Sequence, residues 1–157
     1  MMDLDPLSWA PALVENDLLI ALAFFTATTL VIALWVPGVL LPIAASLGAL
    51  LDAWLAAAVV SFGALFGSMI IFATTKRFAV GRGPPALASF VSRFEARFKS
   101  RGAWLVFGLR LVGTPHFLVS SGSALMRIKT VPFAVATLLG LFPTIILAAI
   151  AGSSIGP

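Results

Sequence analysis

Three uncharged stretches constrain this chain more than anything else in it: Leu18 to Val36, Ala53 to Thr75 and Thr130 to Gly152, of 19, 23 and 23 residues. A helix rises 1.5 Å per residue, so each is about as long as the ~30 Å hydrocarbon core of a bilayer. Each is expected to be a full crossing. The composition leaves little room for another reading. The chain is 61% hydrophobic and 10% charged, whereas a soluble domain carries about a quarter charged residues. Disorder needs the opposite balance, low hydrophobicity and high charge. With no cysteine and one histidine, disulfides, thiolate metal sites and thiol catalysis are excluded. The expected fold class is an all-α integral membrane protein. An acidic segment at 1–17 precedes a membrane domain at 18–153. That segment holds Asp3, Asp5, Glu15 and Asp17 and no basic residue, unlike the positive start of a secretory signal.

Two further apolar stretches are broken. Residues 37–52 open with Pro37-Gly38, carry Pro42 and Gly48, and end at Asp52. Residues 102–126 carry Arg110, a Gly113-Thr-Pro115-His116 break and a Ser120-Ser-Gly-Ser123 run. Proline removes a backbone donor and clashes with the preceding turn. In lipid, such breaks survive only where protein or a water-filled cavity satisfies the freed backbone groups. Both stretches are therefore expected to be re-entrant hairpins, added to about three transmembrane helices.

Charge placement bears on this. Seven of the ten basic residues lie between Lys76 and Arg101, and the positive-inside rule puts that segment in the cytoplasm. Arg127 and Lys129 stay on the same side only if residues 102–126 dip in and return. The parity of three crossings and two hairpins then gives a cytoplasmic N-terminus and an external C-terminus. Within the basic loop 76–101, Leu87, Phe90, Val91, Phe94 and Phe98 recur at helical spacing opposite Arg93, Arg97 and Lys99. That pattern predicts an amphipathic helix lying on an anionic lipid surface.

The order hairpin, then spanning helix, occurs twice. Gly63 and Gly67 mark the first spanning helix, Gly140 and Pro143 the second. An inverted repeat leaves such a trace and places its site between the repeats near the midplane. Gly63 and Gly67 suit close helix approach, and Pro143 is expected to kink the last helix.

From about residue 36 to 153 the chain resembles the VTT domain family, also called the SNARE-associated Golgi or DedA family. The resemblance rests on Pro37-Gly38, on GALFGSMIIFATTKRFAVGR at 63–82, on GLRLVGTPHFLVSSGSAL at 108–125 and on TLLGLFPTIILAAIAGS at 137–153. The family's pattern falls on Arg110, Pro115, Phe133, Thr137, Gly140, Pro143 and Gly152. Gly113 stands where the family often has proline, and Ser68 follows Gly67 where DedA members carry an acid. The branch related to vacuolar and Golgi membrane proteins is the nearer likeness. The resemblance implies opposed re-entrant hairpins that meet in the membrane. It also implies flipping or scrambling of phospholipid or polyprenyl-phosphate head groups.

Arg110 is the sharpest single residue. A charge at bilayer depth costs about 2.5–3.5 kcal/mol on insertion scales and must face a partner or water. A guanidinium can hold phosphate oxygens in a bidentate manner; the plain alternative is a snorkelling side chain or a partner for broken-helix carbonyls. Asp52 could pair with Arg110 or carry a proton, though an acid at a hairpin exit more often sits at the interface. His116 is either satisfied by a carbonyl or titrates. Ser120, Ser121 and Ser123 either line a cavity or, the favoured reading, cap a helix. Together with Pro115, these residues are the expected translocation site. No cofactor or metal and no enzymatic activity are expected, since no strained nucleophile or orienting acid accompanies His116. Nucleic-acid binding is not expected either, because topology explains the basic loop. The expected partners are membrane lipids bearing phosphate, with a lean to a homo-oligomer, in a bacterial inner membrane. A non-transporting assembly subunit is the alternative.

Overall fold

A computed structural model describes residues 17–78 and 101–155, and among these all regular structure is helical. Six helices follow in order: α1 Asp17–Ala33, α2 Leu40–Leu50, α3 Ala53–Phe78, α4 Gly102–Leu111, α5 His116–Leu125 and α6 Thr130–Ser153. The expected amphipathic helix and residues 1–16 of the acidic segment lie outside the described residues.

The last two expected crossings are each one long apolar helix. α3 starts at Ala53 and α6 at Thr130, with 26 and 24 residues, and both are long and apolar enough to cross a membrane. Asp52 starts α3: its carboxylate accepts from the backbone N–H groups of Trp54 and Leu55 at 2.9 and 3.2 Å. Lys76 and Arg77 end α3, where cations complement the helix dipole.

The first expected crossing needs correcting. α1 has 17 residues and reaches about 25 Å at 1.5 Å per residue. It stops where Trp35 takes φ 66° and Gly38 φ 79°. Such left-handed positions close a turn, and the chain reverses into α2. The hairpin expected within residues 37–52 is thus one helix, α2, and its partner arm is α1. The second broken stretch folds as α4, a turn at 112–115 with Gly113 at φ 82°, then α5.

Two similar units result, each a helix pair followed by a long helix. α1 runs alongside α3 in the same direction, with Thr28 against Gly63 and Ile32 against Gly67. α4 runs alongside α6, with Arg110 and Phe107 against Gly140. The second arms cross over. α2 packs on α6 and α5 packs on α3. The α2–α6 seam is backbone on backbone: Gly48 faces the main chain of Ala149, and Gly152 that of Ala45. Glycine and alanine at the contact allow helices that close.

Charge divides between the two ends. Lys76, Arg77 and Thr130 line one cleft, and Gly102 lies against Ile128. Arg101, Arg127 and Lys129 therefore gather at the end where α3 stops. α1 starts at the other end, because it parallels α3. Asp17 sits there with Asp52, away from the basic residues. The expected cytoplasmic N-terminus depended on α1 crossing, and α1 turns back beside the middle of α3.

Two apolar clusters fill the interior. Leu47, Ala57, Val60, Ile145 and Ala149 belong to the larger one, toward the acidic end. Phe72, Val106, Val119 and Phe133 belong to the other. There Phe72 and Phe133 stack at 4.4 Å, an arrangement worth about 0.5–1.5 kcal/mol beyond area burial.

Candidate functional site

Arg110 occupies the last turn of α4, just before the break, and is 1% exposed. Gly140 makes this possible. A methyl group there would meet Arg110 Cβ at 2.7 Å and the Phe107 carbonyl oxygen at 2.8 Å. The guanidinium then reaches three side chains. Nη2 donates to Ser68 Oγ of α3 at 3.1 Å and to Ser120 Oγ of α5 at 2.9 Å. Nη1 lies 2.7 Å from His116 Nδ1. Nε is buried without a partner.

None of these partners carries a negative charge. Asp17 and Asp52 are the only acids among the described residues, and Asp52 caps α3. Among the described residues the site therefore holds a net positive charge inside an apolar bundle, stabilised by hydroxyl and imidazole dipoles. A buried cation without a counter-charge is costly, and it binds an incoming anion correspondingly strongly.

The site has a space beside it. A cavity of about 230 Å³ is bounded by Trp35, Pro37 and Gly38 of the first turn, by Gly113, Pro115 and His116 of the second, and by Arg110. Leu141 and Thr144, midway along α6, close the far wall. The tips of the two helix pairs thus meet over the cavity. They touch through Trp35 and Phe117, whose ring centres are 3.9 Å apart. Trp35, Val36, Leu41 and Val112 remain exposed around the tips, so the rim is apolar and the floor polar.

A line of hydroxyls continues from the floor toward the basic end. Beyond Ser68 and Ser120, Thr75 and Ser121 are hydrogen-bonded at 3.3 Å, and Lys76 follows, its ammonium 5.6 Å from the Phe72 ring centre. The equivalent contact in the other unit, α2 on α6, is the glycine–alanine seam, with no hydroxyl in it.

A family model of the VTT domain matches residues 36–154. The chain belongs to the VTT domain family. No curated protein and no solved structure matches it. The matched VTT region opens at the first turn and closes at the end of α6, so Ile32 of α1 and Trp35 just after it, though outside the match, line the cavity wall. The family and the two long apolar helices agree on a membrane protein.

Most of the expected site residues converge in this VTT fold. Arg110, Pro115, His116, Gly113, Pro37 and Gly38 line one cavity. Ser120 serves Arg110 and caps nothing: Pro115 holds the position before α5 without a side-chain cap. Ser123 bonds the carbonyl of Val119. Gly63, Gly67 and Gly140 seat helices, and α6 runs through Pro143 next to the cavity-lining Thr144. Asp52 does not join Arg110, because its carboxylate is committed to the first turn of α3. Ser68 is the residue whose role went unread. Its signals were a small polar side chain directly after the Gly63–Gly67 pair and its place where the resemblance expects an acid.

Proposed function

We propose that this protein moves phosphate-bearing lipid head groups across a membrane. The observation that carries the reading is Arg110, buried, without a carboxylate partner among the described residues, and facing a cavity where two broken helix pairs meet. In this reading α1–α2 and α4–α5 are re-entrant hairpins that enter from opposite sides. Their turns meet at mid-depth, which halves the polar path each must supply. A phosphate at the cavity floor would take hydrogen bonds from the guanidinium, a charge-assisted contact about twice as strong as a neutral one. Acyl or polyprenyl chains would stay outside, against the apolar rim of Trp35, Val36 and Val112. The Ser120–Ser121–Thr75 line offers hydroxyls toward the basic end. No covalent step is required. A bacterial inner membrane, with the basic end in the cytoplasm, fits the charge division.

The test is purified protein in liposomes carrying a fluorescent phospholipid, with a membrane-impermeant quencher outside. Wild-type protein is expected to expose inner-leaflet lipid to the quencher, and Arg110→Ala to lose this while keeping its helical content. Equal translocation by Arg110→Ala removes the residue from the mechanism. Failure of wild-type protein to move any lipid favours an assembly subunit.

A further inference from the structure

The contact between Arg110 and His116 restricts the protonation of the site. A guanidinium has five donors and no acceptor, and it stays protonated in proteins. At 2.7 Å from Nη1, His116 Nδ1 must therefore be the acceptor. The ring is neutral, its single proton on Nε2. A doubly protonated ring would set an N–H against an N–H at that distance. The Arg110–His116 bond and an imidazolium thus exclude each other.

An anion at the cavity floor changes this balance. Phosphate oxygens compete for Nη1 and leave Nδ1 free. A free Nδ1 beside an anion takes up a proton readily, and the resulting imidazolium donates to the same oxygens. Among the described residues, nothing else that lines this cavity titrates. α4 contributes Arg110; the turn at 34–39, α2, α3 and α6 contribute no ionisable group to this cavity. The charge arithmetic favours the same outcome: a phosphomonoester carries ~−1.5 to −2 near neutral pH, which one arginine only partly offsets.

We infer that binding of a phosphate-bearing head group at Arg110 is coupled to uptake of one proton by His116. A hydronium ion gives its proton to Nδ1 and leaves water; when the head group departs, the proton returns to water and Nδ1 accepts from Arg110 again. His116 acts here as a positioning residue that alternates between holding Arg110 and holding the ligand. The inference rests on the anion site proposed above, and the experiment separates the two.

The chain has a single histidine, so protein labelled with ¹⁵N-histidine gives one imidazole to observe by solid-state NMR. In phosphatidylcholine bilayers, one bare and one protonated ring nitrogen are expected. Adding phosphatidate is expected to protonate both, while its phosphorus resonance reports binding independently. Phosphatidate that binds with the ring still neutral overturns the inference and leaves the anion site standing. Phosphatidate that does not bind overturns both. A second measurement uses His116→Gln, whose amide oxygen can still accept from Arg110 but cannot titrate. Uptake of one proton makes wild-type affinity fall by up to about tenfold per pH unit as pH rises. His116→Gln is expected to lose that part of the dependence between about pH 5 and 8, the titration of the lipid being common to both proteins. Identical pH profiles overturn the coupling.

Discussion

Gly140→Ala should displace Arg110 while leaving that residue's identity unchanged. The added methyl would lie 2.7 Å from Arg110 Cβ and 2.8 Å from the Phe107 carbonyl oxygen, against an ordinary contact of about 3.5–4.0 Å between carbons. The obstacle is the root of one side chain and the main chain of α4, neither of which can rotate aside. α4 must therefore retreat from α6 by most of an ångström. Overpacking of this kind costs about 1–3 kcal/mol. Alanine in a helix interior recovers up to about 1 kcal/mol over glycine, so the net loss is about 0–2 kcal/mol. Gly108→Ala is the matched control, on α4 itself, where nothing lies within 4 Å of the added carbon. It should gain about 0.5–1 kcal/mol. Thermal unfolding of both variants in one detergent measures the difference. The retreat also strains hydrogen bonds from Arg110 that already stand at 3.1 and 2.9 Å, so lipid movement by Gly140→Ala should fall as well. Equal stability of the two variants would refute the claim that Gly140 seats α4.

The other predictions concern single contacts. Ser68→Ala and Ser120→Ala each remove one acceptor of the buried guanidinium, at about 1–3 kcal/mol apiece; a double-mutant cycle should show strong coupling, since both receive Nη2, and strict additivity would argue against a shared partner. Asp52→Ala should lose about 0.5–2 kcal/mol of stability as a lost cap with lipid movement unchanged per folded molecule; loss of movement at full stability would restore a role for Asp52 in transport. Single cysteines at Leu18 and Ser153 should react with an impermeant maleimide from one side of the membrane, and a cysteine at Lys129 from the other. Labelling of Leu18 and Lys129 from the same side would mean that α1 crosses after all.

Hydropathy read the long helices well because length and apolarity are what it measures. Ala53 and Thr130 start α3 and α6 as expected, and the Gly113–Pro115 break falls inside the second helix pair. The same measure misread α1. A helix that turns back after 17 residues is as apolar as one that runs on. Nothing in Leu18–Val36 distinguishes the two; the reversal depends on the backbone at Trp35 and Gly38. Arg110 was legible because a lone charge in an apolar run must have a reason to be there. Ser68 was not, since a serine in a transmembrane helix is cheap to hide by bonding its own backbone. Its meaning comes only from the crossing of α3 with α5. Asp52 shows the reverse case, in which the local demand of a helix start outweighs a long-range partner of opposite charge.

The exchange of second arms between the two units has a consequence for how the chain is made. α2 finds its backbone seam only on the last turns of α6, roughly a hundred residues later, which is on the order of 5–20 s of synthesis at ~5–20 residues per second. Until then Gly48 and its neighbours have no mate in the nascent protein. Arg110, by contrast, emerges into a membrane where Ser68 is already waiting, and Ser120 follows within moments. The polar centre can therefore assemble before the apolar seam that locks it, and neither half of the chain can complete itself without the other.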